Sequence, residues 1–310
     1  MKKQPLLLIG FMGLLLVSSG CKRKENNPLL GTPDPTVTNV QMYVRGVDNA
    51  HPPEVSVLFQ SVANSTFRMT DLSLANFAVL QDQKPMIATN YGPAVGYPFA
   101  VMLVIDRSGS MTGGFGSTSR AQAANDAATV FLNNLPATAQ AGLIEFNSSA
   151  ELKVPMTANK QSVITAVNLS TASSGATALY DAIIIGAQEL SKATGLRLLV
   201  FLTDGVDSGN GHSAEDAQAA LQTIGTVASG IVIGSVDTTE MQAIVNATGG
   251  TLSESVDPAD LASDLDSILN GTLFDDIYAL TFRRRNNEPN VRIYVSYGTN
   301  TASVDMSVYR

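Results

Sequence analysis

The chain has 310 residues, of which 45% are hydrophobic, 15% charged and 6% aromatic, enough apolar material for a buried core and too much for general disorder. Nineteen basic against 27 acidic residues leave a net charge of -8, so nucleic acid is not an expected partner. One cysteine and two histidines exclude a disulfide framework and a Cys/His zinc cluster, and leave little for Cys-His or Ser-His-Asp catalysis.

Lys2 and Lys3 precede an apolar run from Leu6 to Val17, then Ser18, Ser19, Gly20 and the single cysteine, Cys21. This is the layout of a secretory signal over residues 1–20. The run falls short of the ~20 residues that a membrane-spanning helix needs. Small residues directly before a cysteine resemble the bacterial lipoprotein lipobox, which implies cleavage and lipidation at Cys21. Ser18 stands where that pattern carries a leucine-like residue, and a secreted soluble chain is the alternative. An acylated Cys21 would anchor the chain to a membrane without crossing it. Lys22, Arg23 and Lys24 either add attraction to anionic lipid or are solvated charge on a tether. With Asn26, Asn27, Gly31 and the prolines up to Pro35, residues 21–36 read as a lipid-anchored linker.

Beyond the linker, Val40, Met42 and Val44 alternate with more polar neighbours, and Val55, Val57 and Phe59 do so more loosely, the period of half-buried strands. Phe99 to Ile105 is instead an unbroken apolar run, expected of a strand covered on both faces by crossover helices. Arg120 to Leu135 places Ala124, Ala127, Ala128, Phe131 and Leu135 on one helical face, with Pro136 ending it. Gly142 to Phe146 and Glu151 to Met156 predict a hairpin at an antiparallel edge. Leu179 to Leu190 is apolar nearly all round, as in a buried helix, and Leu198 to Leu202 and Ile231 to Ile233 repeat the central-strand pattern. Ser213 with Asp216 forms a capping-box signal, and Asp257 before Pro258 an N-cap with proline at the first helical position. Val291, Ile293, Val295 and Tyr297, then Ala302, Val304, Met306 and Val308, return to period two. The fold class is therefore α/β: a doubly wound, mostly parallel sheet with helices on both faces over residues 98–271. The flanks, residues 37–97 and 272–310, are expected to build one β-sandwich into which that domain is inserted.

Directly after the first central strand comes Asp106-Arg107-Ser108-Gly109-Ser110-Met111, at the carboxyl edge where open α/β sheets bind ligands. Ser174-Gly175-Ala176-Thr177 before the buried helix and Thr203-Asp204-Gly205 after the next central strand converge on the same edge. Asp106 and Asp204 supply two negative charges and Ser108, Ser110 and Thr177 neutral hydroxyls, a donor set for a hard divalent cation. Neutral ligands leave such an ion able to accept a further anionic oxygen. Gly109 is expected to let the backbone turn so that both serine hydroxyls face one point.

Asp106-x-Ser108-x-Ser110, Thr177 within Ser174–Asp181, and Asp204 within Leu202–Gly205 resemble the von Willebrand factor type A (VWA) domain with its metal-ion-dependent adhesion site. The stretch Phe77 to Pro85 is similar to the sandwich strand that precedes such domains in bacterial envelope proteins. The resemblance implies a divalent cation, magnesium with manganese and calcium as alternatives, held by Asp106, Ser108, Ser110, Thr177 and Asp204. It also implies a protein partner presenting an Asp or Glu carboxylate, and movement of the last helix, Pro258 to Leu269, in some members. Asp181 reads as structural, and Asp207 as an outer acid or a turn residue.

The expected function is a cell-envelope lipoprotein, outside the cytoplasm and outer-membrane or periplasmic in a Gram-negative cell, that binds its partner through the cation and is not an enzyme. A scaffold or assembly factor of an envelope complex, with a purely structural metal, is the second reading. A metal-dependent hydrolase is the third. A phosphatase with Asp106 as nucleophile would resemble Asp-x-Asp, whereas Ser108 takes the place of the second carboxylate. The chain has no Walker loop, Gly-x-Ser-x-Gly elbow or His-Glu-x-x-His helix.

Overall fold

In the computed structural model the described residues are 37–64, 67–209, 211–270, 276–285 and 289–308. The expected signal segment, Cys21 and the expected linker lie outside them. In chain order the strands before the first long helix are β1 (Val40–Asp48), β2 (Glu54–Ala63), β3 (Phe67–Arg68), β4 (Phe77–Gln81), β5 (Lys84–Met86), β6 (Ala88–Pro93), β7 (Phe99–Asp106), β8 (Gly114–Phe115) and β9 (Thr118–Ser119). There follow α1 (Arg120–Asn134), β10 (Gln140–Phe146), β11 (Ala150–Thr157), α2 (Lys160–Leu169), α3 (Leu179–Leu190), β12 (Gly195–Thr203), α4 (Ala214–Ile224), β13 (Val227–Ile233), α5 (Thr239–Thr248), β14 (Leu252–Ser255) and α6 (Pro258–Asn270). The chain closes with β15 (Tyr278–Arg283), β16 (Asn290–Tyr297) and β17 (Asn300–Ser307).

The apolar run of β7 follows from what covers it. Val101, Leu103 and Ile105 enter one core with α1, α2 and α6, through Phe131, Val163 and Leu265 among others. Ala100, Met102 and Val104 enter a second core on the opposite face, with α3, α4 and α5 through Ile183, Leu221 and Ile244. A strand serving two cores has no polar face, so period two is lost. Parallel pairing of β10 with β7, β7 with β12, β12 with β13 and β13 with β14 builds the sheet, and β11 closes one edge antiparallel to β10. The α/β expectation holds.

Among the helices, α4 starts at the reciprocal Ser213–Asp216 box and stops at Gly225, whose left-handed backbone (φ 63°) donates its N–H to Gln222. Asp257 accepts N–H bonds from Ala259 (2.8 Å) and Asp260 (3.1 Å) at the head of α6.

The flanking strands form two antiparallel layers. One runs β1-β2-β15-β6, with β3 on β2; the other runs β17-β16-β4-β5. Val57, Phe59, Leu280 and Phe282 of the first share a core with Val79, Val291, Ile293 and Met306 of the second. Strands from both ends of the chain interleave: β15 pairs with β2 and β6, and β16 pairs with β4. Pro93 and Tyr278, where the chain leaves this region and returns, are cross-strand partners. On β12, Gly195 and Leu196 pair with β1 and the β13 contact begins only at Leu198, so β1 takes the edge that β13 leaves free. Gly46 belongs there because a Cβ would lie 1.8 Å from the Gly195 carbonyl oxygen. Buried Arg45 adds a tie, donating to Gln60 and to the Thr248 carbonyl (2.6 Å).

Candidate metal centre

Three loops at the carboxyl edge meet where β7 and β12 end. Asp106, the last residue of β7, is wholly buried. Its Oδ1 accepts the Ser108 N–H at 2.7 Å and its Oδ2 accepts the Thr203 hydroxyl at 2.7 Å, so one carboxylate ties the β7 and β12 ends together. Gly109–Thr112 then forms a short 3₁₀ turn, which brings Ser108 Oγ within 3.0 Å of Ser110 Oγ. Ser110 Oγ in turn donates to Asp204 Oδ1 at 2.7 Å.

Thr177 reaches the edge differently. Gly175 has φ 153°, and a Cβ there would lie 2.8 Å from Ser148 Oγ. Around it the Ala176 N–H donates to Ser148 Oγ (2.9 Å) and the Ala178 N–H to the Asn147 carbonyl (2.7 Å), pinning the loop to the β10–β11 turn. The Thr177 N–H donates to Ser208 Oγ, while its carbonyl accepts from Ser208 and Gly209. A Cβ placed on Gly205 would stand 3.6 Å from Thr177 Oγ1, which sets that hydroxyl beside the Asp204 loop.

Ser108, Ser110 and Asp204 therefore touch through their oxygens, Asp106 joins them through Ser108 and Thr203, and Thr177 closes the side next to Gly205. Cys21 lies outside the described residues. Gly109 acts otherwise than expected: its φ is not positive, and a Cβ would make only ordinary contact, 3.7 Å from Ser174 Cα. The 3₁₀ turn, rather than glycine's freedom, converges the serines. Asp181 accepts the His212 N–H (2.9 Å) and ring Nδ1 faces it at 2.7 Å, a tie between the α3 start and the loop before α4. Asp207 accepts the Tyr180 N–H at 3.2 Å and so caps α3.

Electrostatically the edge sets two buried carboxylates close together. Burial pushes the Asp106 carboxyl above its ordinary range; the bonds from Thr203 and Ser108 oppose this, and the neighbouring Asp204 charge adds to it. Asp204 is buried too, and the Arg120 guanidinium bonds its Oδ2 at 2.5 Å. Arg120 was not among the residues expected at the site. One local signal pointed to it: it is the first residue of α1, where the helix dipole disfavours a cation. A second missed pair is buried beside the site, Arg107 Nε donating to Glu145 Oε1 at 2.7 Å.

The donor set fits a hard dication. Oxygens around an octahedral ion at about 2.1 Å are spaced about 3.0 Å along each edge. The Ser108–Ser110 and Ser110–Asp204 separations of 3.0 and 2.7 Å match that spacing. Among the described residues no three His, Cys, Asp or Glu side chains gather as a metal cluster, so two carboxylates and three hydroxyls are the material available.

Residues 101–206 match the family model described as von Willebrand factor type A domain, a span that contains all five of these side chains. Over that span the chain is similar to a VWA domain. Such domains commonly mediate protein–protein interaction and are generally interaction modules rather than enzymes. A von Willebrand factor type A structure from Catenulispora acidiphila is 12% identical over 90% of this chain and 75% of its own, with a TM-score of 0.50. Proximal thread matrix protein 1 from the mussel byssus, with a zinc-occupied MIDAS motif, is 17% identical over 68% of this chain and 51% of its own, with a TM-score of 0.51. This chain thus spans about half the length of that protein. The conserved hypothetical protein BatB from Bacteroides thetaiotaomicron is 18% identical over 56% of this chain and 100% of its own, at a TM-score of 0.48. At these identities the likeness to the Catenulispora and byssus structures is one of fold. No curated protein matches the chain.

Proposed function

We propose that Asp106, Ser108, Ser110, Thr177 and Asp204 hold a divalent cation, magnesium by the hardness of the donors, and that the protein binds a partner protein through it. The open coordination position takes an Asp or Glu carboxylate of that partner. The observation that carries this reading is the octahedral-edge spacing of the Ser108, Ser110 and Asp204 oxygens beside the second buried carboxylate, Asp106. The zinc-occupied MIDAS motif of the byssus protein is consistent with a cation at this edge of the fold. When bound, the ion supplies an electrophile for an incoming anionic oxygen; Asp106 orients Ser108 and Thr203, and Ser110 orients Asp204.

The domain borne for this purpose is residues 98–271, inserted between the neighbouring strands β6 and β15 of a sandwich formed by residues 37–97 and 272–310. The signal at residues 1–20, Cys21 as lipid anchor and the linker to residue 36 would set that module at the surface of a bacterial envelope membrane.

Manganese titration of the full chain, followed by the electron paramagnetic resonance of the free ion, tests the site. Asp106→Ala and Ser110→Ala are expected to lose at least about tenfold in affinity, about 1.4 kcal/mol. Equal affinity in wild type and both variants would refute the assignment. Partner capture that survives chelation would instead favour a structural metal and a scaffolding role.

A further inference from the structure

Arg120 is unusual for its place. It opens α1, where the unpaired N–H groups of the first turn already carry partial positive charge and no acidic residue lies in that turn. Ser119 accepts the Gln122 N–H at 3.2 Å, so the cap does not need Arg120. Its guanidinium turns away from the helix to Asp204, with Nη1 at 2.5 Å from Oδ2, and its Nε is buried without a hydrogen-bond partner among the described residues. Gly113 and Gly234 lie on two sides of the guanidinium, where an added Cβ would make only ordinary contact with it, 3.8 Å from Nε and 3.7 Å from Nη2. The Arg120 side chain is 31% exposed and that of Asp204 0%, so the cation can withdraw to water while the carboxylate cannot. Serine Ser110 already donates to the other oxygen of the same carboxylate.

On the reading that this edge holds a metal, we propose that Arg120 is a built-in competitor for Asp204. The guanidinium and a divalent ion both seek the negative charge of one buried carboxylate. They also repel each other, so the ion binds only as Arg120 swings toward solvent or shares Oδ2. The consequence is a site whose metal affinity is weaker than its oxygen donors alone would give, and whose Asp204 carboxylate remains neutralised whenever the ion leaves. Arg120 thus favours reversible exchange of the ion over permanent retention, which suits a contact that must be released.

Two variants of the full chain test this, Arg120→Gln, which removes the charge, and Arg120→Lys, which keeps the charge but not the planar fork. Manganese affinity by electron paramagnetic resonance is expected to rise about tenfold in Arg120→Gln, the order for removing a partly exposed ion pair and its repulsion of the dication together. Arg120→Lys should fall between that variant and wild type. Melting in chelator supplies the second readout: Arg120→Gln should unfold at lower temperature than wild type without metal, and the gap should narrow or reverse in saturating magnesium. Unchanged or weakened manganese binding in Arg120→Gln, with wild type binding normally and both folded by circular dichroism, overturns the competitor role alone. Absence of manganese binding in wild type as well as in the variants overturns the metal reading and this proposal with it.

Discussion

Truncating Glu145 to alanine should be among the costliest single changes next to the candidate centre. Glu145 and Arg107 are 7% and 4% exposed, and their ion pair of 2.7 Å is the one hydrogen bond the Arg107 side chain makes; Nη1 and Nη2 have no partner among the described residues. Glu145→Ala therefore leaves a guanidinium charge enclosed with nothing opposite it. Removing one member of a buried pair costs about 3–5 kcal/mol. At about 2–4 °C per kcal/mol for a region of this size, melting should fall by about 6–20 °C. The double variant Arg107→Met with Glu145→Leu removes both charges and fills the space, and should lie near wild type or above it. Urea unfolding, read by tryptophan-free probes such as far-ultraviolet circular dichroism, measures both, with the denaturant slope showing whether the unfolded state changed. A loss under about 1 kcal/mol in Glu145→Ala, or a double variant as unstable as the single, would refute the claim that Arg107 depends on Glu145 for its burial.

Gly230→Ala should destabilise by about 1–3 kcal/mol through overpacking, because its Cβ would meet Phe201 Cζ at 2.1 Å and Leu252 Cδ1 at 2.6 Å; a variant as resistant to urea as wild type would contradict that close approach. Asp181 is held below its ordinary value of 3.8, chiefly by the His212 N–H. Its contribution to stability is therefore complete above the unfolded value and lost as pH falls through the lower folded one. Asp181→Asn should flatten that part of the acid limb, and identical acid unfolding curves for variant and wild type would show that the His212 contact is energetically idle.

The elements that sequence reveals are those whose cause is local. β7 announces itself because both of its faces are dry, and α4 and α6 because Ser213, Asp216 and Asp257 supply their caps. Helices α2 and α5 carry no such mark: Asn159 and Thr238 stand at their caps without making a side-chain cap bond, and their order comes from packing Val163, Val167, Ile244 and Val245 against the sheet. At the candidate site the five oxygen-bearing residues are legible as a motif. Their wiring is not. That Thr203 holds Asp106, that Glu145 lies against Arg107 and that Arg120 reaches Asp204 are contacts between residues 97, 38 and 84 positions apart, and no local pattern encodes them. Only the misfit of an arginine at a helix start hinted at the last.

The sheet order explains why two acids come to share this edge at all. In the order β11-β10-β7-β12-β13-β14, the chain moves from β7 outward to β10, and from β12 outward to β13 in the opposite direction. Helix α1, which follows β7, packs in one core, and α4, which follows β12, in the other. The loops after β7 and β12 must part, and a crevice opens between them at the strand ends. Asp106 and Asp204 stand on its two sides, and each is bonded from the other strand's end, Asp106 by Thr203 and Asp204 by Ser110. Burying two carboxylates there without positive charge would be unfavourable. The topology makes a place for positive charge, which the Arg120 guanidinium supplies at Asp204 in this structure and for which, on the proposed reading, a metal ion competes.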